Sequence, residues 1–143
     1  MVGYRYSTEL KENMSKAVGL GLPISSKTSR EVCAKLKGMK LDKAKILLEN
    51  VIDLKAAIPF KRYNGDVPHQ KNTGPGRFPV KISEKVLKVL KSAEANAQFK
   101  GLSINDLFIK HISAQRGSKT IRYGRRHNKA KRTNIEVVLE EKK

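Results

Sequence analysis

Residues 116–132, RGSKTIRYGRRHNKAKR, carry eight Lys or Arg and no Asp or Glu. Such a stretch cannot bury itself, because unpaired charge is held in water by its solvation. The residues on either side nonetheless have strand character. LFIKHISAQ is rich in apolar and β-branched residues, and NIEVVLEE alternates Ile135, Val137 and Leu139 against Asn134, Glu136 and Glu140. Two strands joined through one cationic stretch predict a long antiparallel hairpin with a basic far end. Strands of about twelve residues would reach roughly 40 Å. A two-stranded ribbon is marginal by itself in water, so its inner half must pack on other elements. A third strand is expected around GLGLPIS, although Gly19, Gly21 and Pro23 are poor strand residues.

Upstream of Ile104 the period is helical. Thr28 and Glu31 have capping-box spacing ahead of Val32, Cys33 and Leu36, and Gly38 is placed to stop that helix. A second helix follows, with Ala44, Leu47, Leu48, Val51 and Ile52 on one stripe. A third runs through SEKVLKVLKSAEANAQFKG, with Ser83 as its expected cap, Val86, Leu90, Ala93 and Ala97 buried, and Gly101 at its end. Residues 58–81 hold four of the five prolines and read as an irregular Pro/Gly-rich loop. Its length suggests a functional or partner-pinned segment. The 143 residues fit a single domain, with 104–141 as its extended hairpin.

The charge narrows the partners. The formal net charge is +18, with a pI near 10.2, a field that favours a polyanion. From Leu107 to Ile135 there are nine Lys or Arg and no acid, and five of the nine arginines fall at 116–132. Guanidinium forks grip phosphate and stack on bases, where lysine offers a point charge. Nucleic acid is therefore the expected partner. No helix-turn-helix, zinc finger or basic zipper is visible to read a major groove. Cations also occur at Lys61, Arg62, Lys71 and Arg77 and near both ends, a spread that suits folded RNA better than a single duplex groove.

Catalysis finds little support. His69, His111 and His127 are scattered at no metal-ligand spacing, and His111 reads as an ordinary strand residue. Cys33 lies on the apolar stripe of its helix and reads as core. GLGLP and GPGR match neither a Walker lysine loop nor a strand–GxGxxG–helix unit. The expectation is no enzyme, no metal and no cofactor. One cysteine excludes an internal disulfide and fits a reducing interior. The N-terminus lacks the apolar core of a secretory signal, and no apolar run could span a membrane. These readings lead to an expectation of a soluble, cytoplasmic protein with no membrane partner.

Four stretches carry a family resemblance. SSKTSREVCAKLKGMKLDKAKILLENV, IPFKRYNGDVPH, GRFPVKISEKVLKVLKSAEANAQFKGL and the hairpin with its Gly124-Arg125 pair resemble the ribosomal protein L twenty-two family in its archaeal and eukaryotic form. The likeness runs from about Tyr4 to Glu141. It implies an α+β body of three helices on a three-stranded antiparallel sheet, from which the hairpin extends. It also implies a structural constituent of the large ribosomal subunit that binds large-subunit rRNA, aids assembly and lines the nascent-peptide exit tunnel. Neighbouring ribosomal proteins and the nascent polypeptide would then be its other partners, without self-association. On this reading Arg116, Lys119, Arg122, Arg125, Arg126, Lys129, Lys131 and Arg132 meet RNA, with Tyr123 as a candidate stacker. Ser26, Lys27, Lys61, Arg62, Arg77 and Lys81 would supply secondary contacts. The alternative is a free-standing RNA- or DNA-binding protein, such as an RNA chaperone or chromatin factor.

Overall fold

Two periodicities in one chain, helical first and then alternating, become two packed layers in the computed structural model, which describes residues 4–118, 120–121, 123 and 129–142. In chain order the elements are β1 (Met14–Leu22), α1 (Ser26–Leu36), α2 (Leu41–Ile52), β2 (Ile58–Pro59), β3 (His69–Gln70), β4 (Gly74–Arg77), α3 (Val80–Phe99), β5 (Leu107–Arg116) and β6 (Thr133–Glu141). The main sheet has the order β1-β6-β5 and is antiparallel throughout. α3 lies against β1 and β6, α1 against β5, and α2 against α3. The class is α+β.

The core lies between the sheet and the helices. Ile109, Ile112, Ile135, Val137 and Leu139 of the sheet meet Val32, Leu36, Leu48, Val51, Val86 and Leu90 of the helices in one buried cluster. Ile109 and Ile112 are three residues apart, a spacing that would place them on opposite faces of a regular strand. The register shift between Ile109 and His111 restores the phase, so both side chains point inward. α3 is also tied to β1 by polar contacts: Ser15 Oγ donates to the Ala93 carbonyl at 3.0 Å and Asn96 Nδ2 to the Lys16 carbonyl at 2.8 Å. Gly38 (φ +82°) and Gly101 (φ +75°) end α1 and α3 in the left-handed conformation that glycine adopts freely.

Several expectations need correction. The third strand, expected around GLGLPIS, is Met14–Leu22: it includes Gly19–Leu22 of that stretch but starts earlier and ends before Pro23. Its glycines are tolerated for local reasons. A Cβ on Gly19 would lie 2.8 Å from Val89 Cγ2, and Gly21 (φ +61°) sits where the register shifts. Thr28 caps nothing: α1 already begins at Ser26, with Ser25 before it and no side-chain cap. Glu31 turns away from the helix end and accepts the Lys61 backbone N–H at 3.1 Å. Ser83 is not a cap either, because α3 begins at Val80 and leaves Ser83 buried inside it. Within the Pro/Gly-rich residues 58–81, β2, β4 and β3 form a small antiparallel sheet in that order.

The sheet's other face buries an acid. Glu136, on the face opposite Ile135, Val137 and Leu139, is 0% exposed. The segment ahead of β1 crosses over it, and its carboxylate accepts hydrogen bonds from Tyr4 (3.1 Å), Ser113 (2.8 Å) and Ser7. His111 Nε2 lies 2.8 Å from the same carboxylate. Burial pushes the Glu136 carboxyl upward, but the hydrogen bonds from Ser7, His111, Ser113 and Tyr4 outweigh it and hold the group below its usual range.

Candidate nucleic-acid interface

The antiparallel register places three predicted cations beside one helix end. Arg116 pairs with Thr133 across β5 and β6, and just beyond the strands the Gly117 N–H donates to the Arg132 carbonyl at 3.0 Å. Arg116, Lys131 and Arg132 thus stand together at one end of the β5–β6 ladder. Thr133 Oγ1 donates to the Ile24 carbonyl at 2.8 Å and fastens this point to the start of α1. The result is a cleft of about 260 Å³ lined by Ser25, Ser26, Lys27, Arg116, Lys131 and Arg132, among others. No side chain caps α1 and no acid lies in its first turn, so the partial positive charge of its free N–H groups adds to the cations. Phosphate is the ligand such a cleft suits.

Lys27 also lines a second, larger groove of about 440 Å³ between α1 and the chain around 60–63. Here Lys61, Arg62 and Arg77, distant in sequence from α1, join Arg30, Glu31, Ala34, Phe60 and Tyr63. Two aromatic rings organise the cations. Lys27 Nζ lies 5.0 Å from the Tyr63 ring centre and Arg62 Cζ 5.9 Å, while Arg77 Cζ lies 5.7 Å from Phe60. The two clefts share Lys27 and so form one basic face. Among the described residues, none of its cations is in an ion pair. Their charge is left for a partner.

The remaining predicted residues are distributed differently. Lys81 is exposed in the first turn of α3 and lines neither cleft. Lys129 bridges to Ile121, and Tyr123 is fully exposed at 102%. Lys119, Arg122, Arg125 and Arg126 lie outside the described residues. Sequence reasoning missed Arg30, Phe60 and Tyr63. A signal for the first was present: Lys27, Arg30 and Ala34 have the i, i+3, i+7 spacing of one helix face. Tyr63 stood inside KRYN between two cations and an amide.

Among the described residues, the other polar groups do not assemble into a reaction centre. Ser7, His111 and Glu136 are close, but Ser7 Oγ and Glu136 Oε1 both approach the same Nε2 atom, so no relay runs through the imidazole. Burial pushes the Cys33 thiol up to about 12, which leaves it protonated and unreactive. Among the described residues, no His, Cys, Asp or Glu group could hold a metal ion, and no helix is long and apolar enough to cross a membrane.

Comparison with known proteins agrees with this picture. The sequence model of the family described as ribosomal protein L22p/L17e matches residues 17–140. A protein of Methanococcus maripaludis named large ribosomal subunit protein uL22 is 44% identical over 151 aligned positions, covering 99% of each chain. Its namesake in Methanococcus aeolicus is 42% identical and covers 95% of each. The one in Archaeoglobus fulgidus is 42% identical over 85% of this chain and 81% of its own length.

Proposed function

This chain belongs to the ribosomal protein L22p/L17e family, and on that premise we propose that it is a structural constituent of the large ribosomal subunit that binds large-subunit rRNA. The role is architectural and involves no catalysis. The body grips RNA through the basic face around α1, and β5 and β6 carry the chain onward toward the nascent-peptide exit tunnel, where its tip meets the growing polypeptide. Arg116, Lys129, Lys131 and Arg132 hold phosphates along that path, together with Lys119, Arg122, Arg125 and Arg126. Tyr123 is available to stack on a base. Ser26, Lys27, Lys61, Arg62 and Arg77 anchor the body, and Lys81 adds a contact from α3. Bound this way, the protein aids assembly by fixing rRNA segments against one another.

One observation carries the reading most directly. Residues from five separate stretches converge on a single cationic face with no acid pairing them, which is what a polyphosphate partner requires. Fractionation of a cell lysate on a density gradient tests it. Salt-resistant co-migration with the large subunit is the expected result. A predominantly free pool would overturn it in favour of a free-standing nucleic-acid-binding protein.

A further inference from the structure

The larger groove is built for more than charge. A phosphate site needs donors alone, as the smaller cleft at the α1 start provides. The groove between α1 and the 60–63 turn is instead lined by the apolar side chains of Ala34 and Phe60 and by the ring of Tyr63 as well as by cations. Tyr63 is 77% exposed, although a ring of that size gains by burial. Its backbone is in the left-handed region (φ +55°), a conformation that a tyrosine adopts only when its surroundings impose it. Those surroundings are visible: Asn64 Nδ2 donates to the Phe60 carbonyl at 3.2 Å, and the Asn64 carbonyl accepts the Val67 N–H at 3.1 Å. A fixed turn therefore displays an aromatic face to solvent beside unpaired cations.

We propose that this groove seats one unstacked nucleobase of RNA, its ring against Tyr63, with the adjoining phosphates on Lys27, Arg30 and Arg62. The inference rests on the RNA-binding reading above and adds to it the kind of RNA this face selects. Lys27 and Arg62 now lie near the ring as placeholders. When a base arrives, one of them exchanges the ring for a phosphate and the base takes its place. The volume of about 440 Å³ accommodates a purine or pyrimidine with its sugar. A base paired within a helix keeps its faces stacked and has none to offer Tyr63, so the groove favours a loop, bulge or single strand over a duplex. Glu31 lines the same groove and spends Oε2 on the Lys61 N–H.

The 143-residue chain labelled with 3-fluorotyrosine tests this, since its four tyrosines give four signals and a Tyr63→Leu variant assigns the relevant one. The probes are a short single-stranded RNA, a duplex of the same sequence, and inorganic phosphate. Single-stranded RNA should move the Tyr63 signal, while duplex and phosphate leave it nearly in place. In the variant, single-strand affinity should fall about tenfold or more with its salt dependence unchanged. Lys27→Gln with Arg62→Gln should instead flatten the salt dependence. If RNA binds while the Tyr63 signal stays fixed, or if duplex moves it equally, the base site is wrong and the RNA-binding reading stands. If no RNA binds in any form, both fail. The signal shift is read in unsubstituted protein, so a folding defect in a variant cannot mimic the result.

Discussion

Glu136 is the residue at which strand alternation misleads. Alternation identifies which side chains share a face, but it does not say what covers that face. Here the segment containing Tyr4 and Ser7 covers it, and the Glu136 carboxylate becomes the acceptor for Tyr4, Ser7 and Ser113. The same contact acts on its donor: burial first, and the neighbouring carboxylate second, push the Tyr4 hydroxyl up to about 12. Because the folded Glu136 carboxyl titrates below its unfolded value of about 4.3, the folded state holds its proton less readily than the unfolded chain. The stability this adds is present above that pH and is lost as pH falls through the folded value. Chemical denaturation across pH should show this acid limb, and Glu136→Gln should make it shallower. At neutral pH the same substitution should cost about 1–3 kcal/mol, because an amide cannot accept all the donors a carboxylate does. An acid limb as steep in the variant as in the parent would place the titrating group elsewhere.

Among the elements, helices were the most legible from sequence and their starts the least. The stripe of Ala44, Leu48 and Val51 is buried as expected, and so is that of Val86, Leu90, Ala93 and Ala97. Both glycine stops hold because left-handed φ is costly for any side chain with a Cβ. The starts were misread because Ser and Thr can cap a helix or simply lie within it, and spacing does not distinguish the two. Ser83 shows the cost of the second option: its hydroxyl is buried and finds no hydrogen-bond partner among the described residues. Ser83→Ala should therefore leave stability unchanged or raise it by about 1 kcal/mol in a urea titration. Val51→Asp should unfold the body, because it places an unpaired charge at a fully buried position of α2. Gly19 measures the distance between β1 and α3. Gly19→Val should destabilise by about 1–3 kcal/mol, since Val89 already occupies the space a larger side chain needs.

For the whole molecule, the polyanionic partner followed from charge alone, whereas the shape of the basic face did not. Nothing in the order of residues shows that Lys27 meets Arg77 or that Ser26 meets Arg132; the β5–β6 register and the turn at 60–63 bring them together. Grip and fold are accordingly separable. Replacing Arg116, Lys131 and Arg132 together by Ala should change stability by no more than about 0.5 kcal/mol each. It should weaken rRNA binding and flatten its salt dependence by up to about three phosphate contacts, read from a filter-binding series across ionic strength. The sheet order has a consequence for how the molecule comes into being. β6 occupies the middle of β1-β6-β5, yet it follows both neighbours and all three helices in the chain. During synthesis β1 emerges first and must wait while more than a hundred residues follow before its partner at 133–141 appears. Until then two strand edges stand open, each able to pair with another chain. A nascent chain stalled short of Thr133 should therefore be protease-sensitive and prone to self-association, and become resistant once Glu141 has cleared the ribosome. The body closes in a single late step, when its central strand arrives.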